Sequence, residues 1–119
     1  MKPIYKLLDW IDINKLDFCG LSLNEHDKAI ELLKEKQNKI IWFQLSRNKN
    51  DKAIELLEQN QDKINWDFLS CNKNDKVIEI LKKNQDKINW KKLSSNKNIF
   101  KLDYEKMKDN FEILGNEIL

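Results

Sequence analysis

The apolar positions of this chain return every 24 residues. Phe18, Trp42, Trp66 and Trp90 fall in one column, Leu21, Leu45, Leu69 and Leu93 in a second, and Leu16, Ile40, Ile64 and Ile88 in a third. Ala29, Ala53 and Val77, then Ile30, Ile54 and Ile78, then Leu33, Leu57 and Leu81, continue the series. Polar columns keep the same register: Ser22, Ser46, Ser70 and Ser94; Asn24, Asn48, Asn72 and Asn96; Lys15, Lys39, Lys63 and Lys87. A fixed period of this size marks a repeat array in which each unit is one supersecondary element.

Within a unit the spacing predicts two helices. Ala53, Ile54 and Leu57, with Leu56 beside them, form a helical stripe. Asn48 reads as its N-cap, Asp51 adds negative charge at the positive end of the helix dipole, and Asn60 is a C-terminal stop in the left-handed region. A short link carries Ile64. Asn65 caps a second, shorter helix whose inner face is Trp66 and Leu69. A single hairpin of this length is marginal in water, so its stripe needs a neighbour. Stacking supplies one, with Trp66 packing between the second and third units and contributing roughly 3 kcal/mol.

The ends break the pattern as capping units do. Ile4, Leu7, Leu8 and Ile11 predict an N-terminal cap helix with Pro3 in its first turn. Tyr104, Met107, Phe111, Leu114 and Ile118, spaced by three and four, predict a longer C-terminal helix that closes the last open face, weakened at Gly115. The expected fold is all-α: an α-solenoid of 24-residue helix-turn-helix repeats with N- and C-terminal capping helices. It is one repeat domain over 1–119, with an N-terminal cap and half-repeat (1–20), repeats at 21–44, 45–68 and 69–92, and a partial repeat and cap at 93–119. The structural core is expected at Trp42, Trp66, Trp90, Leu45, Leu69, Leu93, Ile54, Ile78, Leu57 and Leu81.

The opening YKLLDWIDINKLDF, the unit AIELLEQNQDKINWDFLS and the closing NIFKLDYEKMK resemble short-repeat proteins of giant DNA viruses of the mimivirus and phycodnavirus kind, whose unit runs Asn-Pro-Asn-Ala-Ile, two leucines, Ile-Asn-Trp and Leu-Ser. The likeness covers nearly the whole chain. The family's proline is Lys49, Lys73 and Lys97 here, and Ile41 stands where the second-helix Asn is usual. The resemblance implies a helical array of viral origin and carries no general biochemical activity with it.

Composition changes this picture little. The 119 residues carry 22 basic and 20 acidic side chains, a net charge of +2, so no field of one sign dominates. Two glycines and one proline favour helix over a turn-rich β architecture. No apolar run approaches a membrane span, and the start MKPIYKLLDW is too interrupted for a signal peptide. Cys19 and Cys71 lie far apart without a CxxC partner and read as reduced thiols. The expectation is an intracellular protein, in infected-host cytoplasm, or a virion component.

Catalytic chemistry has no visible footing. His26 is the only histidine, lacks a partner nucleophile or ligand set, and reads as a surface residue in a column with Asn50 and Asn74. The recurrent carboxylates Asp51, Glu55 and Asp62 read as solvation and intrahelical pairing. No phosphate loop, zinc spacing or nucleophile elbow is present. The expectation is a non-enzymatic protein with no cofactor, metal or small-molecule substrate and no membrane contact.

What varies between units is the surface. Columns 23/47/71/95, 34/58/82, 35/59/83, 43/67/91 and 44/68/92 change most, which nominates Arg47, Glu58, Asp67, Lys82, Lys83, Lys91 and Lys92 as a partner-binding surface. The third unit alone is strongly basic, with seven lysines against three acids. The leading expectation is a protein-protein interaction module with a host or viral partner. The alternatives are a virion structural component, or nonspecific binding of nucleic acid or an anionic surface through the third unit. A single arginine in the chain disfavours sequence-specific nucleic-acid readout.

Overall fold

A computed structural model describes residues 2–110, and every element in it is helical. Helices α1 (Phe18–Leu23), α3 (Trp42–Leu45), α5 (Trp66–Ser70) and α7 (Trp90–Leu93) begin 24 residues apart. Between them run the longer α2 (Asp27–Glu35), α4 (Asp51–Glu58) and α6 (Val77–Lys82). Each longer helix turns into the next short one through a 3-10 turn, Gln37–Lys39, Gln61–Lys63 or Gln85–Lys87, in place of the plain link expected around Ile64. A further 3-10 turn, Ile13–Lys15, precedes α1, and another, Lys97–Ile99, follows α7. Contacts join neighbouring helices: α1 to α2 and α3, α2 to α4, and α5 to α6 and α7. The molecule is elongated, 66 × 41 × 20 Å, with a radius of gyration of 19.5 Å against roughly 14 Å for a compact chain of this length.

The core follows the apolar columns. Leu45, Leu69, Ile54, Leu57 and Leu81 are buried, and Trp42, Trp66, Ile78 and Leu93 are partly buried and packed on the same cluster. Trp90, expected in that core, is 61% exposed because no further unit covers it among the described residues. One face of each aromatic ring is covered by a lysine from the next unit: Lys39 lies 5.3 Å from the Phe18 ring centre, Lys63 5.1 Å from Trp42 and Lys87 5.2 Å from Trp66. This places the lysines of that register, which remain exposed, over the aromatic column.

The polar columns do something that local sequence does not announce. Asn48 is not an N-cap; it is 1% exposed. Its Nδ2 donates to the carbonyls of Ser22 (3.1 Å) and Asn24 (2.8 Å), one unit back, and its Oδ1 accepts from the Asn50 N–H. Asn72 repeats the pattern on Ser46 and Asn48, and Asn96 on Ser70 and Asn72. Serine forms a parallel rail. Ser22, Ser46 and Ser70 donate to the carbonyls of Phe18, Trp42 and Trp66, and accept from the N–H of Ile41, Asn65 and Asn89, each 19 residues further on. No buried side-chain N or O atom among the described residues lacks a partner, as a buried polar seam must achieve to avoid a net penalty.

The cap of α4 sits two residues beyond the expected place: Asn50 Oδ1 accepts from the Lys52 N–H. Asn74 Oδ1 accepts from the Lys76 N–H in the turn ahead of α6, whose own first turn has no side-chain cap. Asn65 caps α5 as expected, through the Phe68 N–H, and Asn89 caps α7 in the same way through the Lys92 N–H, while Ile41 offers α3 no side-chain cap. Asn60 ends its helix without the left-handed conformation: φ is −136° and its Nδ2 returns to the Leu56 carbonyl.

The N-terminal cap differs from the expectation. Residues 2–8 form no helix; the apolar stripe from Ile4 to Ile11 spans about two turns, too little to offset helix nucleation. Leu7 and Ile11 are half-buried and share a hollow with Leu21, Ala29 and Leu32, while Ile4 and Leu8 stay exposed. At the other end residues 104–110 are helical, as expected, and Tyr104 is 72% exposed. Phe111, Leu114, Gly115 and Ile118 lie outside the described residues.

The buried amides set a clear energetic order. Asn72→Ala strands two carbonyls and an N–H in the seam and should cost about 3 kcal/mol, whereas Asn60→Ala, which loses one bond within its own unit, should cost about 1 kcal/mol or less. Urea unfolding midpoints of the two variants measure the difference; equal losses would assign the seam no special weight.

Candidate interaction groove

The short helices stack with their C-terminal residues aligned, and this alignment makes a groove. Its volume is about 360 Å³, and Leu23, Arg47 and Cys71, all from one variable column, line it together with Glu25, Lys49, Phe68, Asn72 and Lys73. Phe68 is half-buried. The Arg47 guanidinium lies 5.2 Å and the Lys92 ammonium 6.0 Å from its ring centre, and the Phe43 ring stands 6.2 Å away, tilted by 35°. Arg47 is held by a 3.2 Å hydrogen bond from Nη1 to Gln44 Oε1, and Gln44 Nε2 in turn meets Cys19 Sγ at 3.2 Å. Cys71 Sγ donates to the Phe68 carbonyl at 3.4 Å. Both cysteines are free thiols.

The expected surface residues separate into groups. All seven are exposed. Arg47 lines the groove and Lys92 reaches its aromatic floor. Lys91 sits beside Lys92 on α7. The Asp67 carboxylate is engaged across units, accepting from Asn89 Nδ2 at 3.0 Å. Glu58, Lys82 and Lys83 lie at the C-terminal ends of α4 and α6 and do not line the groove. Phe68 and Leu23 were missed as individual site residues, although both belong to columns marked as variable. The available signal was an aromatic at a position where Gln44 and Lys92 are polar.

The opposite ends of the longer helices carry a charged ladder. Asp27 Oδ1 accepts from Asn50 Nδ2, and Asp51 Oδ1 from Asn74 Nδ2, each at 2.7 Å. Lys52 bridges back to Asp27 (3.6 Å) and Glu31 (3.7 Å), and Lys76 to Asp51 (3.1 Å). Only the Lys28–Glu31 pair is intrahelical here, so the pairing expected within helices runs mainly between units. His26 occupies the ladder's first position as the cap of α2: its Nδ1 accepts from the Lys28 N–H at 3.0 Å, and its ring stands edge-on to Tyr5 at 4.6 Å. Among the described residues no group of His, Cys, Asp and Glu side chains could hold a metal ion, and no helix is long and apolar enough to cross a membrane.

The ladder holds its carboxyls below their ordinary range. Asp27 is lowered first by the Asn50 amide and then by Lys52, Asp51 by the Asn74 amide and then Lys76, and Glu31 by Lys28; Lys76 is raised by the Asp51 hydrogen bond and charge. A carboxyl with a depressed folded pKa adds stability above its unfolded value of about 4 and loses it as the pH falls. All these groups are solvent-exposed, so each effect is modest and salt-screened. Asp51→Asn should therefore be less stable than the native chain at neutral pH, and the gap should close as the pH drops below about 4. Urea midpoints at neutral and acidic pH give the comparison; a gap that persists in acid would remove the carboxylate from the account.

No family model matches the chain, and comparison with curated proteins and with solved structures gives no match either.

Proposed function

We propose that this chain is an α-solenoid that binds another protein, and that the groove around Phe68 receives an acidic segment of that partner with an apolar or aromatic side chain. The observation that carries the reading is the placement of Phe68, half-buried at the floor of an open groove with Arg47 and Lys92 over its ring. An aromatic floor rimmed by cations suits a partner that brings one apolar anchor and flanking carboxylates. Lys49 and Lys73 extend the positive rim, although Lys49 also reaches Glu25 at 3.7 Å. Variable columns face the groove while the buried Leu, Ser and Asn columns stay constant beneath it, the arrangement by which repeat arrays change specificity without disturbing their core.

Under this reading the third unit's lysines serve a protein partner rather than a nucleic acid. The half-buried Trp42 and Trp66, each with a lysine over its ring, leave no free aromatic faces there for base stacking. A non-enzymatic role and an origin in a giant virus, which the sequence resemblance implies, belong to the same proposal. A virion component would use the same groove to hold a neighbouring shell protein.

Selection of peptides from a random displayed library on the immobilised full chain tests this. Enrichment of acidic sequences with an aromatic or aliphatic anchor is expected, with binding weakened at least tenfold by Arg47→Glu or Phe68→Ala and unaffected by Lys82→Glu. Binders that ignore both groove substitutions would overturn the assignment.

A further inference from the structure

Arg47 reaches the Phe68 ring as an exposed side chain, and a long side chain on a surface ordinarily spreads over many rotamers. Two residues narrow its range. Gln44, half-buried one helical turn earlier, accepts from Arg47 Nη1 through Oε1 at 3.2 Å, and its Nε2 lies 3.2 Å from Cys19 Sγ on α1. A guanidinium can only donate, so the carbonyl oxygen of the Gln44 amide must face Arg47. Its NH2 then faces Cys19, whose sulfur accepts. The link starts in the preceding unit, passes through α3 and ends over a ring on α5, so that three successive short helices are joined by one series of side-chain contacts.

The residue types permit this link at one place in the array. The pair Gln44 and Arg47 recurs in register as Phe68 and Cys71, and as Lys92 and Ser95. There the later side chain folds back on its own helix: Cys71 Sγ donates to the Phe68 carbonyl, and Ser95 Oγ to the Lys92 carbonyl. In the first unit the pair is Gly20 and Leu23, with no polar side chain. Of the four pairs, only Gln44 and Arg47 bond side chain to side chain among the described residues.

We infer that Gln44 is the positioning residue of the groove: braced on Cys19, it holds the guanidinium over Phe68 and leaves its Nε–Nη2 edge to grip one carboxylate of the partner. This role rests on the groove reading above and adds where the partner's acid must sit. The Gln44 bond takes Nη1, so the two parallel N–H groups of the Nε–Nη2 edge remain as a fork matched to a carboxylate. That fork stands over the ring that receives the apolar anchor, and the acid therefore belongs beside the anchor in the partner's sequence. Fixing the side chain in advance also removes an ordering cost from binding.

The free chain gives the first readout and needs no partner. In its nuclear magnetic resonance spectrum the Arg47 side-chain signals should lie upfield of those of an unstructured arginine, shifted by the Phe68 ring current. Gln44→Leu keeps the helix preference and removes the acceptor; it should return these signals to unstructured values with the melting temperature little changed. Cys19→Ala should do so in part, and Cys19→Ser, which restores an acceptor, should not. The second readout is affinity for an acidic peptide enriched in the library selection. Gln44→Leu should weaken it about fivefold and should have no further effect in the Arg47→Ala background, whereas a merely structural role would weaken binding in both. Arg47 signals unchanged by Gln44→Leu would overturn the positioning role whatever the groove binds. Peptide binding weakened by Arg47→Ala but indifferent to Gln44→Leu would overturn that role and leave the groove reading standing; binding indifferent to Arg47→Ala would overturn both.

Discussion

The structure depends on one constraint: a buried asparagine amide must find two backbone carbonyls one unit away. Asn48, Asn72 and Asn96 are each almost fully buried, and each reaches across to the preceding unit while holding its own chain through Oδ1. A hydrophobic residue of similar size would fill the space but leave the carbonyls and an N–H unpaired, at a cost that outweighs the gain in apolar area. Glutamine would shift the amide by a methylene, and aspartate would set a carboxylate against two carbonyl oxygens. The seam thus demands the same residue at the same offset in each unit, and it fixes the register in which the apolar columns meet.

Around that seam the other contacts act as layers with the same period. Leucines 45 and 69 fill the interior, serine hydroxyls relay between a helix and the following N–H, and lysines cover the aromatic rings from the next unit. Trp90, Phe100 and Tyr104 at one end and Ile4, Leu8 and Trp10 at the other remain exposed. These side chains belong to the apolar columns or flank them, and none of them is buried among the described residues.

Legibility in the sequence followed the distance over which each signal acts. The apolar columns and the cap at Asn65 were readable because helix periodicity and capping act within a few residues. Asn48 was misplaced as a cap, since an asparagine ahead of an acidic first turn looks the same whether it caps locally or spans 24 residues. Asn50 and His26, which do cap, stood in a column that had been read only as surface. Of the residues around the groove, Arg47 and Lys92 stood among those named from column variability, but Phe68 became visible only once two units were placed side by side. Trp90 was assigned to the core by its column, but no described residue buries it, and neighbours are a fact that a column does not contain.

The most direct measurement of the amide seam is hydrogen exchange of the asparagine side-chain NH2 groups, followed residue by residue by nuclear magnetic resonance. The account predicts that the NH2 protons of Asn48 and Asn72 exchange only on global unfolding, at least a hundredfold more slowly than those of Asn24. Side-chain amides at 48 and 72 that exchange as fast as Asn24 would show that the seam is open in solution and contradict it.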